Sequence, residues 1–205
     1  ISVGEGEGQD LAYNHMVGNI NYDHYVGLSA QRIAVDTGDL VEKLTELILN
    51  EDKRTEFGNN GKLRVKNHYD WPIILKQYSD LSDALDTIRT SAKSRKFNSL
   101  PSDRLDPFDV FSSYPTFKLD DKLEVYKTEG IIDMTINDAL TLESVKFSET
   151  HKPEAKNLLA IYNLFKDSKA IKVKDIRSKS EFELSKLDKI IIFLLKFGYL
   201  SVKSN

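Results

Sequence analysis

Cysteine is absent from this chain of 205 residues. Its absence excludes disulfide bonds, a thiolate nucleophile and the zinc sites that contain Cys. Long apolar runs are also lacking, since the longest, residues 190–195, has six residues, whereas a membrane-spanning helix needs about 20. The hydrophobic fraction is nevertheless 40%, with ten Phe and nine Tyr. This composition predicts a folded protein with apolar cores, and we expect it in the cytoplasm.

The length and the first residue indicate how the chain is organised. At about 150 residues per domain, a chain of this size forms one large domain or two small ones, and we expect two. The sequence begins at Ile1, without an initiator Met or a charged and then apolar leader. We therefore expect residue 1 to lie within a longer protein.

The formal net charge of −3 conceals an asymmetry along the chain. Residues 151–205 contain 12 Lys and Arg against 6 Asp and Glu, a net charge of +6, whereas residues 1–150 contain 17 against 26, a net charge of −9. A basic segment favours an anionic partner. Nucleic acid, lipid headgroups and the acidic part of the same chain all fit that description.

The N-terminal part is predicted to be a loop followed by a helix. Residues 1–30 show neither helical nor strand periodicity, which predicts a long mobile loop. Residues 32–36 alternate as in an extended segment. Asp39, with Glu42 three residues later, is typical of a capping pair at a helix start. The stripe of that helix that is predicted to be buried consists of Leu40, Leu44, Leu47 and Ile48.

A second helical segment is expected to begin near Asp52, to break at residues 58–61 between two glycines, and then to resume. The clearest helix of the chain follows it, with Asp70 as its cap and Pro72 in its first turn. Its apolar residues recur at helical spacing: Ile74, Tyr78, Leu81, Leu85 and Ile88. We expect this row to form an apolar patch, covered by the aromatic residues at positions 108–117 or by a second copy of the chain.

Asp83 and Asp86 lie opposite the apolar row of the same helix and are predicted to face solvent. General acid–base catalysis needs a desolvated carboxyl group, so this position makes both residues poor catalytic candidates.

Residues 97–118 contain Pro101, Pro107 and Pro115 and are predicted to form a linker. Aromatic residues at intervals of three are expected to attach it to a neighbouring surface; they are Phe108, Phe111, Tyr114 and Phe117. A strand is predicted over residues 123–127. A helix is predicted over residues 136–147, with Thr135 as its cap.

The last 55 residues are predicted to contain three helices and a strand. The helices are expected over residues 153–166, 173–177 and 184–197, and Gly198 ends the last of them in a left-handed conformation. The strand follows at residues 199–202. This order is typical of the end of a winged-helix domain.

The residues that carry a family resemblance lie between Asp39 and Leu85. They are Leu47, Ile48, Arg54, Gly58, Gly61, Val65, Tyr69, Trp71, Ile74 and Tyr78. Their order and spacing resemble the C-terminal end of the retaining glycosyltransferases of family four, which have the GT-B fold of two facing Rossmann-like domains. The resemblance implies that Trp71 begins a cross-over helix, which leaves the second domain and packs on the first. Truncation of a buried Trp71 is then expected to be strongly destabilising.

Residues 22–36 and 104–116 look like those of a bacterial subgroup of this family that carries an additional C-terminal extension. The resemblance covers about residues 20–118 and extends to the tail only loosely. It implies a parent enzyme of polysaccharide biosynthesis, which transfers a sugar from a nucleotide-sugar donor to a glycan or lipid-linked acceptor with retention.

The donor site of the family depends on an E-x7-E motif and on nearby Gly, Arg and Lys residues. No Glu of this chain has another Glu eight positions further on. The resemblance therefore implies that the donor site lies upstream and that this chain alone is inactive.

The combined interpretation is a mostly α fold with minor β structure. Residues 1–96 are predicted to be the helical end of a GT-B Rossmann-like domain, residues 97–130 a linker rich in aromatic residues and proline, and residues 131–205 a small winged-helix-like domain. The alternative function is an interaction module, in which the winged helix binds a protein partner, an anionic membrane or nucleic acid.

No catalytic, cofactor-binding or metal-ligating residue and no cofactor is predicted for this chain. The glycines at positions 4, 6 and 8 do not follow a strand and do not match a phosphate-binding motif. The four histidines are far apart and lack a metal-ligand spacing; they are His15, His24, His68 and His151.

Lys186, Lys189 and Lys196 lie on one face of the last predicted helix, opposite its apolar residues. A solvated or intramolecular face is the favoured interpretation, and a protein partner or the inner face of a membrane comes second. Nucleic acid is the least favoured, because residues 184–197 contain no Arg, Asn or Gln for base recognition.

Overall fold

The computed structural model of the chain describes residues 1–4, 6–92, 105–129, 134–147, 151–166 and 168–202. In this part the protein is mostly helical, with one small antiparallel sheet. Its helices are α1 (Gln9–Met16), α2 (Tyr22–Ala30), α3 (Thr37–Leu49), α4 (Glu51–His68), α5 (Trp71–Ser91), α6 (Pro107–Val110), α7 (Ile136–Thr141), α8 (Glu143–Lys146), α9 (Ala155–Tyr162), α10 (Val173–Lys179) and α11 (Leu184–Lys196). Its strands are β1 (Glu124–Lys127), β2 (Ala170–Lys172) and β3 (Leu200–Val202).

The chain divides into two compact units. The first unit combines Ile1–Leu40 with Leu100–Asn205, and the second is the helical segment Val41–Ser99. This division differs from the predicted boundaries, which group residues 1–40 with the helices that follow them. The predicted linker also differs, because its described part contains α6 and β1; its residues 97–104 and 130 lie outside the described residues.

The extreme N-terminus joins the first unit through backbone pairing. The Ser2 N–H donates to the Phe117 carbonyl at 3.1 Å, and the Leu119 N–H donates to the Ser2 carbonyl at 2.9 Å. On the other side, the Ala34 N–H donates to the Ile1 carbonyl at 2.9 Å. These bonds tie residues distant in sequence into one unit.

The prediction of a mobile loop over residues 1–30 is wrong, because α1 and α2 occupy most of it. The Asn21 side chain caps α2 by accepting from the His24 N–H at 2.9 Å. Leu11 and Leu28 are buried. Each helix has only eight or nine residues, and such short stretches contain too few apolar positions to show a helical period.

Helix α11 lies at the centre of the core of the first unit. Its buried residues are Leu187, Asp188, Ile190, Ile191, Ile192, Phe193, Leu194 and Leu195. Because about 3.6 residues make one turn, these positions cover every side of the helix. Gly198 follows with a φ of +76°, as expected for a left-handed helix end.

The sheet of the first unit has the order β2-β1-β3, and both pairings are antiparallel. Val125 of β1 is opposite Ile171 of β2 and Val202 of β3. All three side chains are buried and pack with α11 in one apolar cluster. The predicted strands at residues 123–127 and 199–202 are confirmed except for the first residue of each.

The helices predicted for the C-terminal part are confirmed as α9, α10 and α11; α9 and α11 are shorter than predicted, and α10 is two residues longer. The single helix predicted over residues 136–147 is instead two short helices, α7 and α8, which meet at Leu142. Thr135 caps α7 as predicted, in a reciprocal pairing with Asp138.

The second unit contains α4, α5 and most of α3. Helix α4 is continuous through Gly58 and Gly61, so the predicted break is wrong. Asp36, and not Asp39, caps α3, because its Oδ1 atom accepts from the Gly38 N–H at 3.0 Å. Asp70 caps α5 as predicted, by accepting from the Trp71 N–H at 2.9 Å.

Candidate functional surfaces

The apolar row of α5 is exposed over most of its length. Four of its side chains, together with the preceding Trp71, are between 54% and 71% exposed: Trp71, Tyr78, Leu81, Leu85 and Ile88. No residue of α3, α4 or α5 is buried. The expectation that Trp71 is buried is therefore wrong for this chain.

The predicted buried stripe of α3 is also largely exposed. Leu40, Leu44 and Ile48 are 45%, 49% and 73% exposed, respectively. Their spacing follows the helix period, so they lie on one face. Large apolar faces of this kind are rare on stable surfaces and are typical of interaction sites.

The carboxylates of α5 face solvent as predicted. Asp83 is exposed, and the side chain of Asp86 is 61% exposed and pairs with Arg89 at 2.5 Å. Exposed pairs of this type contribute little to stability.

The predicted attachment of residues 108–117 by aromatic residues is only partly confirmed. Phe108 is buried and Phe117 packs against the core of the first unit. Phe111 and Tyr114 are instead 54% and 80% exposed, and their rings contact each other in an edge-to-face arrangement with centroids 5.5 Å apart.

Two of the three basic residues of α11, Lys189 and Lys196, contact the N-terminal segment. The Lys196 ammonium donates to the carbonyl of Ala30 at 2.8 Å and to that of Ile33 at 3.3 Å. The Lys189 ammonium lies 3.8 Å from the Asp10 carboxylate. Burial lowers the pKa of both lysines. Lys186 lies over the ring of Phe182, 5.6 Å from its centroid.

The glycines near the N-terminus bind carboxylates of the same chain. The Gly8 N–H donates to Asp106 and the Gly6 N–H to Asp109, each at 2.8 Å. A Cβ atom on Gly8 would lie 2.4 Å from Asp106 Oδ1, so only glycine permits this approach. The segment therefore attaches α1 to α6, a role that the sequence pattern does not predict.

Two ion pairs, each with one buried member, were missed by the sequence analysis. Arg32, whose side chain is 6% exposed, binds Asp10 through two hydrogen bonds of 2.7 Å. Asp188, which is 4% exposed, accepts from Arg177 Nη2 at 2.6 Å. Burial raises the pKa of Asp188, although Arg177 opposes the shift. The partners are 22 and 11 residues apart in sequence, and no local pattern signals such pairings.

Two of the histidines contact aromatic rings of the same chain. His15 stacks on Tyr25 with ring centroids 5.0 Å apart, and His24 lies beside Phe147 at 5.8 Å. Among the described residues, no group of three or more His, Cys, Asp or Glu has the arrangement of a metal site. Within the same residues, none of the helices combines the length and hydropathy needed to cross a bilayer.

Comparisons with protein-family models, with curated proteins and with solved structures give no match to this chain.

Proposed function

We propose that this chain is the C-terminal part of a retaining glycosyltransferase of family four. The parent enzyme transfers a sugar from a nucleotide-sugar donor to a glycan or lipid-linked acceptor. The observation that carries the proposal is the exposed apolar row of α5, which begins at the Asp70, Trp71 and Pro72 triplet that resembles the family motif.

The row leaves a large apolar area of α5 exposed to water. Burial of one large apolar side chain contributes about 1.5–3 kcal/mol, and α5 exposes Trp71, Tyr78, Leu81, Leu85 and Ile88. A helix of 21 residues with this pattern needs a second surface. In the family that the sequence resembles, the first Rossmann-like domain supplies it, and we assign that occupant to the row.

The absence of an E-x7-E motif fits the same proposal. The donor site belongs to an upstream part of the parent enzyme, so the 205-residue chain is expected to bind no nucleotide sugar. Asp83 and Asp86 remain exposed and have no catalytic role in this proposal.

The decisive experiment compares two chain lengths. The natural reading frame is extended upstream by about 200–300 codons, which corresponds to two Rossmann-like domains at ordinary domain sizes, and the longer protein is purified. We expect it to contain E-x7-E and to bind UDP- or GDP-hexose in calorimetry, whereas the shorter chain binds neither. Tight binding by the shorter chain, or a reading frame that lacks the motif, contradicts the proposal.

Matched substitutions test the assignment of the α5 row. Leu81→Asp in the longer protein is expected to lower its thermal stability, because it places a charge at the proposed domain interface. The same substitution in the shorter chain is expected to have little effect. Asp83→Asn, on the polar face of α5, is the control and is expected to be neutral in both chains.

The alternative function is a winged-helix interaction module that binds a protein partner, an anionic membrane or nucleic acid. Binding of nucleic acid has the least support. The order α9, β2, α10, α11, β3 is compatible with a winged helix. However, residues 187–195 of α11 are buried on all sides apart from Lys189, and a recognition helix needs one face free for the major groove. A mobility shift with duplex DNA at about 50 mM salt that disappears at about 200 mM would revive this alternative.

A further inference from the structure

The apolar residues of α5 recur with the spacing of a coiled coil. From Trp71 to Ile88 the intervals alternate between three and four residues. Six residues therefore fill the a and d positions of successive heptads, and we call them the seam: Trp71, Ile74, Tyr78, Leu81, Leu85 and Ile88. Ile74 is half-buried and the other five are exposed. A repeat of this kind is typical of a helix that packs along another helix.

The e and g positions beside the seam hold mostly polar or small residues. They are Leu75, Gln77, Ser82, Ala84, Arg89 and Ser91. A helix that lies on a broad core needs an apolar stripe at least about 100° wide, whereas a stripe restricted to a and d is the narrower seam of a helix pair. The width of the seam therefore favours one helix as its partner over a broad surface.

The carboxylates of α5 leave the seam free. Asp80, Asp83 and Asp86 occupy positions c, f and b, on the side away from the seam. Lys76 lies on the same side and pairs with Asp80. Arg89, at the edge of the seam, pairs with Asp86. A partner helix can therefore cover the a and d positions without burying a charge, which would be costly.

The exposed area is sufficient for an interface between domains. Six side chains of α5 are between 54% and 71% exposed: Trp71, Leu75, Tyr78, Leu81, Leu85 and Ile88. At about 150–250 Å² for a large aromatic side chain and somewhat less for an aliphatic one, they leave roughly 500–800 Å² exposed on α5 alone. Interfaces between domains of one chain bury about 600–1,500 Å².

We propose that a single amphipathic helix of the natural full-length protein covers the seam and packs along α5 at an angle of about 20°. The a and d positions of this partner are apolar, with small or aliphatic side chains opposite the large rings of Trp71 and Tyr78. The inference rests on the proposed function, because it names the surface of the first Rossmann-like domain that contacts α5. Helices form the outer layers of such a domain.

Cysteine accessibility tests the inference, since the 205-residue chain contains no cysteine and each introduced thiol is its only one. Leu81→Cys and Leu85→Cys place a thiol in the seam, whereas Gln77→Cys and Ser82→Cys place it at the flanks. Each variant is made in the 205-residue chain and in the natural full-length protein, and its rate of reaction with a maleimide is measured. The wild-type full-length protein is the blank for other thiols, and Asp83→Cys, on the far side of α5, is the control. Circular dichroism confirms that the variants are folded.

We expect the seam thiols to react at least about tenfold more slowly in the full-length protein than in the shorter chain, because a covered thiol reacts only when the interface opens. For Gln77→Cys, Ser82→Cys and Asp83→Cys, the two rates are expected to agree within about threefold, since the flanks of a helix pair remain open to water.

Two outcomes overturn the inference. Equal protection of the seam and flank thiols shows that a broad surface covers α5, and it leaves the proposed function intact. Unprotected seam thiols in the folded full-length protein show that no helix covers the seam. Protection of the seam alone, in a protein that lacks E-x7-E and binds no nucleotide sugar, supports the helical partner but contradicts the proposed function.

Discussion

The guanidinium group of Arg32 binds the carboxylate of Asp10 through two parallel hydrogen bonds, each 2.7 Å long. The two residues differ in their access to water, since the side chain of Arg32 is 6% exposed and that of Asp10 is 51% exposed. Arg32 also donates to the Glu7 carbonyl. The pair therefore links α1 to the end of α2 through a cation that cannot be hydrated in the folded state.

This asymmetry predicts unequal effects of removing either partner. Asp10→Ala leaves Arg32 buried without a counter-ion and is expected to lower the free energy of unfolding by about 1–3 kcal/mol. Arg32→Met is expected to have a smaller effect, because the remaining carboxylate reaches water and an apolar side chain fills the space. Urea unfolding followed by circular dichroism measures both values. A larger loss for Arg32→Met contradicts the interpretation.

The same pair contributes a pH dependence. Burial alone would raise the pKa of Asp10, but the hydrogen bonds and the charge of Arg32 hold the pKa below its ordinary value. A carboxyl group with a lowered pKa stabilises the fold above its unfolded pKa of about 4, and this contribution is lost as the pH falls through the folded value. Asp10→Asn is therefore expected to make the free energy of unfolding less sensitive to pH below about 4.

The pair of Arg177 and Asp188 has the opposite distribution of burial. Asp188 is 4% exposed, whereas Arg177 is partly exposed and also binds Asp121 at 2.7 Å. Arg177→Ala leaves a buried carboxylate without its cation and is expected to cost about 3–5 kcal/mol of the free energy of unfolding.

The double variant Arg177→Ala, Asp188→Leu is expected to recover part of that loss, because it removes both charges. The raised pKa of Asp188 also predicts the direction in which stability depends on pH. Ionisation of this carboxyl group opposes folding. The contribution of Asp188 to the free energy of unfolding should therefore fall as the pH rises above about 4, and it should fall more steeply in Arg177→Ala. An unchanged pH dependence in that variant argues against a buried, ionised Asp188.

Two glycine substitutions test whether α4 is continuous, as in the structure, or broken at residues 58–61, as the sequence predicts. A Cβ atom on Gly58 or Gly61 would meet no other atom within 4 Å. Because glycine weakens a helix interior, Gly58→Ala and Gly61→Ala are each expected to raise helix stability by about 0.5–1 kcal/mol. Thermal melts followed by circular dichroism measure the effect.

Gly18→Ala is the control for these substitutions, because its φ of +80° is strained for alanine and destabilisation is expected. Destabilisation by Gly58→Ala as well would restore the interpretation of a break at residues 58–61.

Trp71 is the single tryptophan of the chain and reports directly on the α5 row. Since its side chain is 71% exposed, Trp71→Ala is expected to change the free energy of unfolding by less than about 0.5 kcal/mol. The wild-type fluorescence should resemble that of hydrated tryptophan and change little in urea.

Phe193→Ala provides the comparison, because Phe193 is 2% exposed and its truncation is expected to cost about 3–5 kcal/mol. A blue-shifted tryptophan emission, or a loss for Trp71→Ala close to that of Phe193→Ala, would show that the row is covered in the isolated chain.

The local elements of the C-terminal part could be predicted from sequence, and those near the N-terminus could not. Some helix ends can be predicted because the residue that signals them lies within three or four positions of the helix. The structure confirms those signalled by Thr135, Asp70 and Gly198. Helices α1 and α2 are short, and Gly58 and Gly61 suggest a break that does not occur. In that helix, the continuous turns on both sides outweigh the weak preference of two glycines.

What the sequence by itself determined was the mostly helical class and the amphipathic rows, because helix periodicity and capping depend on neighbours a few positions away. The tertiary structure alone decided which rows are buried: α11 lies at the centre of the first unit, whereas the equally regular row of α5 remains exposed. It also decided the partners of Arg32, Asp188 and Gly8. Burial and ion pairing depend on groups brought together from distant positions, and no pattern within a short window specifies them.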